Sequence, residues 1–62
     1  MRQQVKVVEV MYNEGSKAKQ YIVEDVELRI EKHWVIVVHD AWQETWFPQS
    51  SVCFISFELP GE

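Results

Sequence analysis

Apolar residues in the first half of this chain recur at every second position, and the phase of that repeat changes twice. Val5 and Val7 share one parity, whereas Val8, Val10 and Tyr12 share the other. A strand turns successive side chains to opposite faces, so the change between Val7 and Val8 predicts a bulge or strong bend in a first strand. Asn13-Glu14-Gly15-Ser16 is polar and contains a glycine able to take positive φ, which predicts a turn, with Lys17–Gln20 in the same loop. Tyr21 and Val23 then share one face, and Val26, Leu28 and Ile30 share the other parity, with Glu27, Arg29 and Glu31 between them. Val23, Val26 and Ile30 also stand at helical spacing. Because Val26–Glu31 alternates without a fault and is rich in β-branched residues, a second strand that bends at Glu24-Asp25 is the better reading.

Glu31-Lys32-His33 suits a tight connection. Trp34–Val38 contains no polar residue, so it reads as a strand covered on both faces. His39-Asp40-Ala41 follows as a turn. Trp42–Phe47 is the next strand, with Trp42, Glu44 and Trp46 on one face, and Pro48, which has no N–H for a ladder, ends it. Gln49-Ser50-Ser51 has the composition of a single 3-10 turn, Val52–Glu58 is the last strand, and Leu59–Glu62 is a tail. The fold class expected is therefore all-β: five short strands, two of them bent, closing into a small barrel that hides its edges. No repeat, low-complexity tract or linker interrupts residues 1–62, which read as one domain.

Phe47-Pro48-Gln49-Ser50-Ser51-Val52 resembles the Phe-Pro-x-x-x-Val segment joining the last two strands of Src-homology-3-type barrels. Trp34 stands at about the spacing of the second of that family's paired tryptophans. The likeness covers the second half of the chain and implies an SH3-like five-stranded barrel with a 3-10 turn before the last strand. In that family the turn contributes a proline and a tyrosine to a groove for proline-rich peptides. Pro48 matches the proline, but Ser51 stands at the tyrosine and His33 at the first tryptophan, and the family's aromatic-acidic opening is absent. The resemblance implies the architecture without the peptide specificity.

Composition changes the picture in two ways. A chain of 62 residues buries a lower fraction of its surface than a larger domain and needs stability from elsewhere, and its single cysteine, Cys53, cannot form an intrachain disulfide. A free thiol suits a reducing compartment, no apolar run approaches a membrane span, and no signal-peptide core is seen; a cytoplasmic protein without membrane contact is expected. All six Lys and Arg residues lie at or before Lys32, whereas Asp40, Glu44, Glu58 and Glu62 follow without a cation. Nucleic-acid binders carry the opposite balance, so a cationic partner or a second copy of the chain is the better match.

Candidate chemistry is sparse. His33, His39, Asp40 and Cys53 match no zinc spacing, and no metal site or cofactor is expected. Cys53, between Val52 and Phe54, reads as an inert residue of a buried strand. The carboxylates Glu24, Asp25, Glu27 and Glu31 read as a solvated face, and an enzyme is not expected. The aromatic segment is the remaining signal: Trp42, Glu44 and Trp46, with Asp40 beside them, form the candidate binding surface. Trp34 opens an unbroken apolar run and is assigned to the core, where truncation would cost about 3–5 kcal/mol.

The function expected is that of a small non-enzymatic interaction protein that binds another protein, an inhibitor or accessory factor of the kind found among phage and mobile-element proteins, and that self-associates, most simply as a dimer. The alternatives are a ligand-binding module, with an aromatic-acidic cage or a pocket at a subunit interface, and a nucleic-acid-binding small barrel. The last conflicts with the charge distribution. Fluorescence anisotropy is expected to detect no binding to duplex DNA or RNA at physiological salt; a salt-dependent complex of micromolar affinity would overturn the charge argument.

Overall fold

A hairpin of two long strands sets the frame. In a computed structural model that describes residues 1–61, β1 (Arg2–Glu14) and β2 (Lys17–Ile30) are followed by β3 (Trp34–Asp40), β4 (Gln43–Pro48), a 3-10 turn (Gln49–Ser51) and β5 (Val52–Glu58). Pairing of β1 with β2 runs from Arg2 opposite Arg29 to Glu14 opposite Lys17. Only Gly15 and Ser16 are left to turn the chain, and Gly15 has φ 64°. Positive φ at the first central position alone is the type II′ pattern, whose twist matches that of the strands it joins. Lys17–Gln20, expected in a loop, is therefore strand, because the two-residue turn starts the return strand at once. Lys19 Nζ lies 2.9 Å from the Glu14 carboxylate beside that turn, which raises the lysine pKa through the hydrogen bond and the charge. Thirteen residues of β1 at about 3.3 Å each account for the 39 Å long axis of the molecule.

Both strands of this hairpin change face at the same place. Val5 and its partner Val26 are buried, as are Val8, Val10 and Leu28. Lys6 and Asp25, which would be the next opposed pair, are absent from the ladder, and Val7 opposite Glu24 already faces outward. The phase change thus falls between Lys6 and Val7, one residue earlier than the spacing predicts, and the register is the same on either side of it. Asp25 takes φ 57°, the left-handed region that lets a strand reverse its faces within one residue. The strand stays in register while the side it presents to the core is exchanged.

The sheet order is β4-β3-β2-β1-β5, antiparallel throughout. β3 pairs with β2 only over Glu27–Ile30, on the open-end side of the reversal, and β5 pairs with β1 only over Val7–Tyr12, on its turn side. The two ends of the sheet therefore belong to opposite halves of the bent hairpin and face each other across one core. Val5, Val8, Val10, Val26, Leu28, Val35, Val37 and Phe47 form that core. Tyr12 on β1 meets Phe47 on β4 at 4.8 Å between ring centroids, although two strands separate them in the sheet. The curvature stops short of the closed barrel expected from the sequence. β4 and β5 remain the two edges of one open sheet, because the short β4 ends at Pro48 and a 3-10 turn carries the chain across to β1. Each buried core side chain of this size stabilises the fold by about 1.5–3 kcal/mol.

Two local irregularities move residues from their expected places. Between β3 and β4 the register shifts by one at His39, so the strand runs through Asp40 and the turn consists of Ala41 and Trp42. Between β1 and β5 it shifts at Cys53, which has no partner on β1 and is exposed. The expectation of a buried Cys53 is corrected by that bulge, which turns the thiol outward to within 3.4 Å of Asn13 Nδ2. The backbone account is open to test at Asp25. Replacing it by valine is expected to destabilise the protein by about 1–2 kcal/mol in urea denaturation, and replacing it by glycine to cost nothing or stabilise slightly. Equal effects of the two would remove the left-handed residue as the cause of the reversal.

Candidate functional site

The face of β2, β3 and β4 that points away from the core carries two of the three tryptophans, Trp34 and Trp46. Val35 and Val37 turn to the core opposite Phe47 and Thr45 on one side and Ile30 and Leu28 on the other. Strand alternation then places Trp34, Ile36 and Val38 outside, with Pro48, Trp46 and Glu44 as their β4 partners. Trp34 is 39% exposed and Trp46 50%, so Trp34 does not enter the core as its apolar run suggests. The run is apolar because both faces of β3 are covered: Ile36, on the outer face, is only 2% exposed between its partners Arg29 and Trp46.

Trp34 and Trp46 are diagonal neighbours across β3 and β4 and meet edge to face, with centroids 5.4 Å apart and planes at 64°. The arrangement sets the positive edge of one ring against the negative face of the other. Trp46 Nε1–H donates to the Glu44 carboxylate at 2.7 Å, which fixes the indole and leaves the second carboxylate oxygen free of it. Arg2 with Glu27 (3.3 Å) and Arg29 with Glu31 (3.4 Å) form ion pairs on the same face. Glu44 has no cationic partner among the described residues. The result is an apolar ledge with an acidic rim.

Trp42 and Asp40 sit at one end of this surface. Asp40 accepts the backbone N–H of Trp42 through Oδ1 at 2.8 Å, an Asx-type closure of the two-residue turn. The turn holds the Trp42 side chain 93% exposed and outside β4, so it does not share a strand face with Glu44 and Trp46. Of the four residues singled out in the sequence, the structure joins Glu44 and Trp46 directly and gives Asp40 the role of shaping the Trp42 turn. Trp34, assigned to the core, is the member that the parity of an all-apolar strand cannot reveal. His39 Nε2 lies 2.6 Å from Tyr21 Oη and 3.2 Å from Thr45 Oγ1, a polar closure of the core end beside Phe47. His33 precedes β3, and no three His, Cys, Asp or Glu side chains among the described residues gather as metal ligands.

Two open grooves complete the surface. One, about 420 Å³, lies between the tip of the β1–β2 hairpin and the end of β4, with Tyr12, Asn13, Gly15, Trp46, Pro48 and Ser51 in its walls. The other, about 440 Å³, lies on the outer face of β1, β2 and β5, lined by Val7, Glu9, Ile22, Ser56, Phe57 and Glu58. The Lys6 ammonium is 3.5 Å from Glu58, so a first-half cation offsets one second-half acid. The chain contains no α-helix among the described residues and so no helix long and apolar enough to cross a membrane.

No protein-family model matches this chain, and no curated protein or solved structure matches it. The ring pair itself has a measurable signature. A double-mutant cycle with Trp34→Ala and Trp46→Ala is expected to give a coupling of about 0.5–1.5 kcal/mol. Either change should also remove the exciton contribution of paired indoles from the far-ultraviolet circular dichroism, while Trp42→Ala leaves it in place. Additive substitutions would show that the two rings do not touch.

Proposed function

We propose that this protein is a non-enzymatic interaction protein that binds another protein through the Trp34–Trp46–Glu44 ledge and the neighbouring Trp42, in the manner of an inhibitor or accessory factor, and that it self-associates. One observation carries the reading: all three tryptophans lie outside the core, at 39%, 50% and 93% exposure. Tryptophan is the residue most enriched among those that dominate protein–protein binding, and a small protein with so little apolar surface to spare does not need three indoles in water for its own stability. Trp46 is held rigid by Glu44 and Trp34, so little side-chain entropy is lost when a partner covers it.

The acidic rim selects the partner's chemistry. An arginine or lysine laid over the exposed indole faces gains from the ring quadrupole and from the unpaired Glu44 carboxylate. The ligand-cage reading has less support, because Trp42 stands in the turn outside β4 and does not share a strand face with Glu44 and Trp46. The Src-homology-3-type architecture remains part of the proposal: Phe47–Val52 joins the last two strands through a 3-10 turn as the resemblance implies, in a sheet that is open. In the groove beside Pro48 the tyrosine of that family has no counterpart at Ser51, although Tyr12 supplies a ring to the same walls.

Immobilised wild-type protein is expected to retain a specific protein from its source cell. With that partner purified, Trp46→Ala or Trp42→Ala should weaken binding by at least about 2 kcal/mol, roughly 30-fold in Kd, with the circular dichroism of a folded chain. Glu44→Gln should weaken it less and reduce its salt dependence. A partner held equally well by both tryptophan variants would overturn the assignment of the ledge.

A further inference from the structure

The sheet has four stretches of unpaired strand edge, and three of them carry the devices that prevent strands from adding to one another. The free part of β1, Arg2–Lys6, has a cation at each end, and the free part of β2, Lys17–Glu24, carries Lys17, Lys19 and Glu24. The outer edge of β4 is six residues long, contains Glu44 and stops at Pro48. Lysine, proline, short length and charge are the means by which natural sheets blunt their edges. The outer edge of β5 is interrupted only by the bulge at Cys53, and Val-Cys-Phe-Ile-Ser-Phe runs from Val52 to Phe57 without a charge or a proline until Glu58. Phe54 is half exposed on the outer face and Phe57 is exposed as well.

We propose that β5 pairs antiparallel with β5 of a second copy of this chain, joining two five-stranded sheets into one of ten across a two-fold axis. This rests on the self-association part of the function proposed above and not on partner binding, which uses the outer face of β3 and β4 at the other end of the sheet. A two-fold perpendicular to the sheet keeps the outer faces of both copies on one side, so residues of like facing must stand opposite each other. A register centred on Ile55 satisfies this over Phe54–Ser56, the stretch beyond the bulge at Cys53.

The side chains suit that register. Phe54 stands opposite the partner's Ser56, so each exposed phenyl ring lies over a small side chain, and Ile55 meets the partner's Ile55. The two Glu58 carboxylates fall at opposite ends of the paired strands. Six residue steps hold them about 20 Å apart, beyond the screening length of about 8 Å at physiological salt. Pairing would leave no uncharged edge, and it would keep both Trp34–Trp46 ledges free, since β4 lies at the far side of each sheet.

Phe54→Glu tests the contact and its register. In the dimer the new carboxylate would stand diagonal both to its own counterpart and to the partner's Glu58, a row of four acids, while in a monomer it replaces a half-exposed side chain. Analytical ultracentrifugation is expected to give twice 7.4 kDa for the wild type and for Trp46→Ala, and the single-chain mass for Phe54→Glu, with the dimer Kd raised at least tenfold. If Phe54→Glu does not fold, amide exchange of the wild type decides: β5 amides should slow as concentration rises while β4 amides do not change. A monomeric wild type, a dimer that survives in folded Phe54→Glu, a dimer lost in Trp46→Ala, or β5 exchange independent of concentration would each overturn the proposal. Loss of partner capture by the tryptophan variants is read separately, so either proposal can fail while the other stands.

Discussion

Two strands that exchange faces at the same residue pair hold this fold together. Without the reversal at Lys6-Val7 and Glu24-Asp25, the long hairpin would present one face along its whole length, and its inward valines would fall on two different sides. With it, Val5, Val26 and Leu28 from one half and Val8 and Val10 from the other meet in a single core. A residue in the left-handed region costs about 1–2 kcal/mol, against about 1.5–3 kcal/mol for each core side chain that the reversal brings inside. The balance favours the bend by a wide margin.

The same bend decides what is left outside. Because β3 joins β2 only beyond the reversal, its alternation is set by Leu28 and Ile30, and that parity turns Trp34 and Ile36 away from the core. Trp46 follows across β4, and the outer face acquires an apolar ledge that the chain covers only in part. On the other half, β5 closes against β1 and leaves its far edge without a neighbour. The exposed aromatic ledge and the open edge are thus consequences of folding so short a chain round one core, at opposite ends of one sheet.

Much of this was legible in the residues. The last strand at Val52–Glu58 and the 3-10 turn at Gln49–Ser51 follow from Pro48 and from composition, and both phase changes appear in the spacing of valines. Val7 was misplaced because a valine suits either face, and only its partner Glu24 shows that it points outward. The polar stretch after Gly15 misled for a different reason: Lys17–Gln20 is polar because β2 is exposed there, while a type II′ turn had already restarted the strand. Trp34 could not be placed because an all-apolar strand carries no parity signal of its own. Barrel closure was not legible at all, since it depends on whether the edges of β4 and β5 meet.

The surroundings of the three indoles test the account most directly. In a nuclear Overhauser spectrum of the folded protein, Trp34 should show contacts to Trp46 and none to Val5, Leu28 or Phe47. The Trp42 indole should show none beyond its own turn, and the Tyr12 and Phe47 rings should show contacts to each other. Cross-peaks from Trp34 to the methyl groups of Val5 and Leu28 would contradict the account, for they would place the indole in the core and leave no ledge for a partner to bind.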